Sequence, residues 1–290
     1  MATAVVTDSN SGIFAEEGKG MGIHIVPMPV IINDKTFYEG VNLSHEEFYQ
    51  CLMECKKVST SQPSIAEIMD VWDSVLSKGY DELVYIPMSS GLSNSCQTAT
   101  IFADEYDGKV WVVDNHRISV TQRQSVEEAV KLAKKGYRAQ EIKDILEKTA
   151  YDSIIYVGVE TLKYLKAGGR ITPAAAAIGE LLNIKPVLII AGEKLDAFAK
   201  ARGTKSAKKR LIDAMLKSAE EMKKDGSQIT VGVAGSFLTE EEDKEWLAMV
   251  QEAFAGEELH YDPLTFSIGC HVGPGAFGMG ISKKMQEGIY

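Results

Sequence analysis

The chain has 290 residues, of which 45% are hydrophobic and 25% charged, a composition typical of a folded α/β protein. Its formal net charge is -10, so nucleic acid is excluded as the main partner, because a phosphate backbone demands a positive surface. No segment is long and apolar enough to cross a membrane, and the first residues lack a basic region followed by an apolar core. We therefore expect a cytoplasmic protein without integral membrane association.

Strands and amphipathic helices alternate through the first half of the chain, which is typical of a mostly parallel sheet covered on both faces. Pro27 and Pro29 interrupt one apolar run, which predicts either an edge strand or two short strands. Ser44 and Ser64 each precede a glutamate by three residues and predict capping boxes at helix starts. We expect strands near residues 4–6, 23–32, 35–40, 82–88 and 109–114, and helices near 46–56, 65–77, 95–102, 126–135 and 141–149.

The second half mixes hairpins with helices and predicts an α+β arrangement. Thr172 and Pro173 mark the start of a helix that runs through alanines to residue 182. We expect strands near residues 153–159, 184–190, 195–198, 229–234 and 260–266, and helices near 205–224 and 239–254. The predicted fold class is α/β, with a mostly parallel N-terminal α/β domain at residues 1–155 and an α+β domain at residues 156–290.

The segment at residues 82–97 predicts a buried strand that runs through a hydroxyl-rich turn into a helix. Gly91 permits a tight turn, and Ser93 or Asn94 can cap the helix. Free N–H groups and a partial positive charge favour an anion at a helix start, and ligands commonly bind at this corner of an α/β sheet. The segment is a candidate site for phosphate or carboxylate, and an ordinary capped loop is the alternative.

A second hydroxyl cluster lies at residues 58–64. Ser64 and Glu67 complete a capping box, which leaves Thr60 and Ser61 on the preceding loop without a role in the cap. The two clusters could converge on one oxygen-bearing ligand group, whereas serine-rich loops are more often simply solvated.

One pattern offers an enzymatic alternative. The run from Gly91 to Ser95 is close to the nucleophile elbow G-x-S-x-G, and Ser93, Asp114 and His271 follow the chain order of a hydrolase triad. Ser95 replaces the last glycine of that motif, and Asp114 follows only one strand later, so the match is weak. The glycines at residues 273–278 have the spacing of a dinucleotide fingerprint, but no βαβ unit opens there.

The cysteines do not indicate a metal site. Cys51, Cys55, Cys96 and Cys270 lack paired metal-ligand spacing. Cys51 and Cys55 share one predicted helix and are interpreted as small core residues.

Six ordered motifs together resemble the DegV family, and they extend over essentially the whole chain. The motifs are Val-Val-Thr-Asp-Ser at residues 5–9, Thr-Ser-Gln-Pro at 60–63, Ser-Ser-Gly-Leu-Ser at 89–93, Gly-Gly-Arg-Ile at 168–171, Leu-Asn-Ile-Lys-Pro at 182–186 and His-Val-Gly-Pro-Gly at 271–275.

This resemblance implies a two-domain α/β protein that binds one long-chain fatty acid in a pocket between its domains. In many bacteria such a protein is the non-catalytic carrier subunit of fatty acid kinase. It holds the acyl chain while a separate catalytic subunit phosphorylates the carboxylate from ATP. Apart from the bound fatty acid, the resemblance implies neither a cofactor nor a metal.

The resemblance also assigns roles by motif position. The polar end of the pocket, which would hold the carboxylate, is assigned to Thr60, Ser61, Ser93, Asn94 and His271. Contact with the kinase is assigned to Arg170 and Arg202.

Three positions depart from the family pattern. Residues 120–124 are bulky where small residues are common, Asn94 stands where glycine is frequent, and Gly203 replaces a threonine after Arg202. The alternatives are therefore a carrier of a different amphipathic acid, a serine hydrolase that uses Ser93 and His271, and a regulatory module without a ligand.

Overall fold

The computed structural model describes residues 1–54, 56–177 and 183–285. The predicted helical position of Cys55 and the predicted helix end at residue 182 lie outside these ranges. Across the described ranges, no helix combines the length and the apolar composition that spanning a membrane requires.

The described elements alternate along the chain. The strands are β1 (Thr3–Asp8), β2 (Ile23–Val26), β3 (Pro29–Ile32), β4 (Lys35–Tyr38), β5 (Val58–Thr60), β6 (Glu82–Ile86), β7 (Val110–Val112), β8 (Ser153–Gly158), β9 (Ile184–Ile190), β10 (Asp196–Arg202), β11 (Ile229–Gly235), β12 (Leu259–Pro263) and β13 (Phe277–Lys283). The α-helices are α1 (Ala15–Met21), α2 (His45–Met53), α3 (Ile65–Leu76), α4 (Ser95–Ala103), α5 (Ser119–Lys134), α6 (Ala139–Lys148), α7 (Lys163–Gly168), α8 (Pro173–Ala176), α9 (Thr204–Met222), α10 (Glu240–Ala253) and α11 (Phe266–Val272).

A parallel sheet with the strand order β2-β1-β6-β7 forms the first half of the fold. Strands β1 and β6 are buried along their whole length, because helices cover both faces. Ile68 and Trp72 of α3 pack against one face with α4, whereas Ala129 of α5 and Ile142 of α6 pack on the other. The predicted parallel α/β arrangement is confirmed.

The apolar run at residues 23–32 forms two strands in two different sheets. Strand β2 is an edge strand of the parallel sheet, and β3 pairs antiparallel with β4 and β5. The break falls at Pro27, which has no N–H with which to continue a strand ladder. The pairing of β3 with β5 places Thr60 opposite Val30.

The second half is built on a six-stranded sheet with the order β10-β9-β8-β13-β11-β12, in which only β11 and β12 run parallel. Met215 of α9 and Trp246 of α10 pack against one face of this sheet. Ile155, Val157 and Leu188 belong to a separate apolar cluster. The predicted α+β second half is confirmed, whereas the division between residues 155 and 156 falls within β8 and stays a prediction.

Helix α5 lies between the parallel sheet and the six-stranded sheet, and contacts β1, β11 and β13. Two glycines permit this close approach. A Cβ atom at Gly232 would lie 2.3 Å from Val120 Cβ, and one at Gly280 would lie 2.8 Å from Val120 Cγ2. Val120 and Thr121 are thus accommodated because the facing sheet has glycine at residues 232 and 280.

Buried polar contacts tie α5 to its neighbours on both sides. The Gln122 amide donates to Asp8 Oδ1 at 3.1 Å. Arg123 donates to both carboxylate oxygens of Glu17 at 2.7 and 2.9 Å, and its Nε lies 2.7 Å from Asp262 Oδ2 on β12. Helix α5 begins at Ser119, so the predicted start near residue 126 was wrong. The prediction missed the first turns because their polar residues are buried without showing the apolar periodicity that indicates a helix.

Helix α11 was not predicted, and the strand expected to reach residue 266 ends at Pro263. The N–H of Phe266 at the start of α11 donates to Glu39 Oε2 at 2.7 Å. This partner lies 227 positions away in the sequence, so no local pattern identifies the cap.

Candidate functional site

A central cavity lies between the C-terminal ends of β1 and β6 and the six-stranded sheet. Asn10 follows β1 and Met88 follows β6, whereas Ile155, Ile190 and Met279 line the cavity from β8, β9 and β13. The empty volume of the cavity and its mouth, open solvent included, is about 890 Å³, of which about 90 Å³ can be occupied by the centre of a water molecule. Ligands commonly bind outside the carboxyl ends of parallel strands, and this cavity lies there.

Most of the cavity wall is apolar. Its apolar side chains include Met28, Leu92, Ile118, Val120, Val157, Leu165, Leu195, Ala234, Leu264, Ile268 and Val272. An elongated hydrophobic group would therefore leave water on entering the cavity, which is favourable in proportion to the area buried.

Several polar side chains assigned by motif position line this same cavity. They are Thr60, Ser61, Ser93, Arg170 and His271. Asn94 is exposed at the start of α4, where its side chain makes no capping bond, and Arg202 is exposed at the end of β10. Neither Asn94 nor Arg202 is part of the cavity wall formed by the described residues.

The Thr60 hydroxyl and the His271 imidazole form a direct pair. Thr60 Oγ1 lies 3.0 Å from His271 Nε2, and the two residues come from β5 and α11. The other ring nitrogen faces the end of α7, since a Cβ atom at Gly168 would lie 2.1 Å from His271 Nδ1. This pair is positioned by three features: the pairing of β5 with β3, the cap of α11, and the glycine at residue 168.

The Ser93 hydroxyl reaches the cavity from the turn before α4. Its Oγ accepts the N–H of Ser95 at 3.2 Å, which leaves the hydroxyl hydrogen to donate to a ligand. Arg170 lies nearby, donating from Nε to Leu92 O at 3.3 Å and from Nη1 to Gly168 O. These bonds use two of its five N–H donors.

The His271 ring is electrically neutral at neutral pH. Burial lowers its pKa from 6.5 to about 4, and the charge of Arg170 acts in the same direction. A neutral imidazole offers one donor and one acceptor, and its Nε2 can therefore exchange a hydrogen bond with the Thr60 hydroxyl without carrying a charge.

The motif analysis missed a second polar group in the cavity. Asn10 is fully buried, its Oδ1 accepts the Thr265 hydroxyl at 3.2 Å and also a bond from Ser267, and its amide lies 3.0 Å from Met88 Sδ. The sequence at residues 7–12 indicates a turn, but the partner Ser267 belongs to the unpredicted helix α11. Only the fold brings these side chains together.

The geometry does not assemble the hydrolase triad. Within the described residues, the hydrogen-bond partner of His271 is Thr60, whereas Asp114 accepts the Ser90 N–H at 3.2 Å and lies 3.8 Å from His116. Ser93 is bonded to the backbone of its own turn. A triad requires the serine, histidine and acid to be joined in series.

Sequence comparison places the chain in a family. The model of the DegV family, described as "Uncharacterised protein, DegV family", matches residues 2–284. A DegV domain-containing protein of Deinococcus radiodurans is 32% identical over 287 residues, covering 97% of this chain and 98% of that protein. Another, from Caldanaerobacter subterraneus subsp. tengcongensis, is 32% identical over 291 residues, covering 97% and 99%. The chain belongs to the DegV family, as its motifs predicted.

Solved structures share this fold over their full length. One, from Thermus thermophilus, is described as showing the fatty acid binding of a DegV family protein, and it has a TM-score of 0.86 at 29% identity. The other is DegV of Bacillus subtilis, described as a fatty acid binding protein, with a TM-score of 0.84 at 29% identity. Each comparison covers 98% of this chain and 100% of the other.

The low pKa of His271 predicts how this ring titrates. In the folded protein the ring should stay neutral down to about pH 4, whereas in the unfolded chain it should gain its proton near pH 6.5. Between these values the unfolded state binds more protons, so this histidine should lower the stability as the pH falls. Nitrogen NMR of the histidine rings, with His271→Gln to assign the signal, measures the folded pKa.

The same ring titrated in urea is the control for this measurement. A folded pKa near 6.5 would contradict the buried neutral imidazole.

The contact between Gly168 and His271 predicts that Gly168→Ala destabilises the protein. The added Cβ must displace the imidazole, and such overpacking costs about 1–3 kcal/mol. Gly20→Ala is the matched control, since a Cβ at Gly20 would meet no atom within 4 Å, and alanine in a helix should stabilise by roughly 0.5–1 kcal/mol. Urea unfolding of both variants measures the difference, and stabilisation by both would show that Gly168 has room for a side chain.

Proposed function

We propose that this protein binds a long-chain fatty acid, with its carboxylate beside Thr60, Ser93 and His271 and its acyl chain along the apolar walls. The observation that carries the proposal is one cavity with a cluster of hydrogen-bonding groups and otherwise mainly apolar walls. The described fatty acid binding of related proteins from Thermus thermophilus and Bacillus subtilis supports it.

The polar groups suit a carboxylate that leaves water. A buried carboxylate needs hydrogen-bond donors, because an unpaired buried charge is strongly unfavourable. The Ser93 hydroxyl can donate directly, and the Thr60 hydroxyl and His271 ring can supply a second donor. Ser61 adds another hydroxyl to the same wall.

The acyl chain supplies most of the binding free energy. Each methylene removed from water contributes about 0.8 kcal/mol, so a sixteen-carbon chain gains on the order of 10 kcal/mol before the loss of its freedom is subtracted. The carboxylate contacts therefore fix orientation and select acids over neutral lipids.

We further propose that the bound acid is presented to a separate fatty acid kinase, this chain itself being non-catalytic. In that reaction a carboxylate oxygen forms a bond to the γ-phosphorus of ATP while the bond to the bridging oxygen breaks, and ADP leaves with that electron pair. The exposed Arg202 at the end of β10 and the half-buried Arg170 at the cavity are the candidate contacts with the kinase.

The carboxylate contacts predict that Thr60→Ala with Ser93→Ala weakens fatty acid binding. Hydrogen bonds to a charged group contribute about 1.5–3 kcal/mol each, so the double variant should lose about a hundredfold or more in palmitate affinity. Titration calorimetry on delipidated protein measures this change. Native mass spectrometry of the undelipidated protein identifies the bound acid and separates a fatty acid from another amphipathic acid.

The matched control is Ser77→Ala with Thr100→Ala. It also removes one serine and one threonine hydroxyl, but neither residue lies in the cavity wall. It should bind palmitate like the unaltered protein. Unaltered protein that carries no lipid and ignores added palmitate would overturn the proposal, and labelling of Ser93 by a fluorophosphonate probe would favour the hydrolase alternative.

The kinase proposal predicts that Arg202→Glu slows acyl phosphate formation without changing lipid content. A reversed charge at an interface acts mainly on association, so we expect about a tenfold rise in the carrier concentration needed for half-maximal rate. Trapping acyl phosphate with hydroxylamine measures that rate. Lys134→Glu, an equal charge change at the exposed end of α5, is the control, and equal rates for both variants would remove Arg202 from the interface.

A further inference from the structure

Four side chains form a polar group in the central cavity that the proposed carboxylate contacts do not use. They belong to Asn10, Met88, Thr265 and Ser267, and we call them the Asn10 group. Asn10, Met88 and Ser267 line the cavity. Asn10 is fully buried, and Thr265 and Ser267 are nearly so. Their polar atoms must therefore find hydrogen-bond partners within the protein or on a ligand.

The Asn10 amide has an unused donor. Its oxygen is satisfied, because Oδ1 accepts hydrogen bonds from the hydroxyls of Thr265 and Ser267. Its nitrogen carries two N–H groups, and the acceptor for them among the described residues is the Met88 sulfur, 3.0 Å away. A thioether is a weak acceptor, and the second N–H group is left for another partner.

Ser267 supplies an acceptor beside this donor. Its hydroxyl hydrogen is used in the bond to Asn10 Oδ1, so a lone pair on the Ser267 oxygen is available to a ligand. A hydroxyl group accepts one hydrogen bond and donates another, which makes it complementary to this donor and acceptor. A methylene group at the same place would leave both of them unpaired, which is unfavourable in a buried site.

The Asn10 group lies one helical turn from the proposed carboxylate contacts. Ser267 and His271 are four residues apart on α11, or roughly 6 Å along the helix axis, and both line the cavity. A ligand whose carboxylate lies beside His271 therefore has the first carbons of its acyl chain within reach of Ser267. Leu264 and Ile268 line the cavity near Ser267, and their side chains offer no hydrogen bond.

We propose that the Asn10 group binds a hydroxyl group on one of the first carbons of the acyl chain, so that the preferred ligand is a long-chain hydroxy acid. The Asn10 amide donates to the ligand hydroxyl, and that hydroxyl donates to Ser267 Oγ. This inference rests on the proposed function, because it requires the carboxylate beside Thr60 and His271. An unsubstituted fatty acid enters the same cavity but leaves this donor and acceptor to a water molecule.

The first test compares ligands of equal chain length on the unaltered, delipidated protein. Titration calorimetry measures the affinities of palmitate, 3-hydroxypalmitate and 5-hydroxypalmitate. Two neutral hydrogen bonds of ordinary strength correspond to about a tenfold gain in affinity over palmitate, which we expect for at least one of the two hydroxy acids. The ligand control is 16-hydroxypalmitate, whose hydroxyl lies at the opposite end of the chain and should bring no gain.

The second test removes the acceptor. Ser267→Ala should abolish most of the preference for the hydroxy acid over palmitate, because the ligand hydroxyl loses its acceptor. The ratio of the two affinities is the readout, since it cancels any effect of the variant on binding in general. Ser218→Ala is the matched control: it also removes a helical serine hydroxyl that contacts another side chain, Tyr156, but Ser218 does not line the cavity. The control should keep the full preference.

The outcomes separate this inference from the proposed function. If the unaltered protein binds none of the four acids, the proposed function fails and this inference fails with it. If palmitate binds and neither 3-hydroxypalmitate nor 5-hydroxypalmitate binds more tightly, fatty acid binding stands and the hydroxyl site is overturned. If the preference exists but survives Ser267→Ala, the hydroxyl is recognised elsewhere and the assignment to the Asn10 group is overturned. The first test does not depend on the folding of any variant.

Discussion

The position of α5 between the two large sheets is the constraint on which the rest of the structure depends. A helix buried on both sides would ordinarily be apolar all round. Here the buried side chains of Gln122 and Arg123 bond to three carboxylates, those of Asp8, Glu17 and Asp262. These bonds favour one rotation of the helix about its axis and one position between the two sheets. Burying these groups without partners would be strongly unfavourable, which makes the packing specific as well as stable. The first turn of the same helix then lines the cavity.

The cavity combines two electrostatic environments within one wall. Burial keeps His271 neutral, with its pKa near 4, although Arg170 lines the same wall. The Arg170 guanidinium is half-buried and donates hydrogen bonds to the carbonyls of Leu92 and Gly168. Hydroxyls, a neutral imidazole and one guanidinium thus share a single wall of the cavity.

Sequence patterns correctly predicted those features that depend on residues close together in the chain. The capping boxes at Ser44 and Ser64 and the strand break at Pro27 were confirmed, since each depends on residues a few positions apart. The start of α5 and the whole of α11 were missed, because their polar groups are satisfied by distant partners. The same limit applies to the site. Motifs indicated Thr60 and His271, but only the pairing of β5 and the placement of α11 bring their side chains into contact.

The buried imidazole also bears on the hydrolase alternative. A general base is effective when its pKa lies near the ambient pH. Burial lowers the pKa of His271 to about 4, so the ring is a poor base at neutral pH. Its Nε2 lies 3.0 Å from the Thr60 hydroxyl, and no serine hydroxyl or acid partner is found for the ring among the described residues. The wall at Thr60 and His271 is therefore better suited to forming hydrogen bonds with a ligand than to activating a nucleophile.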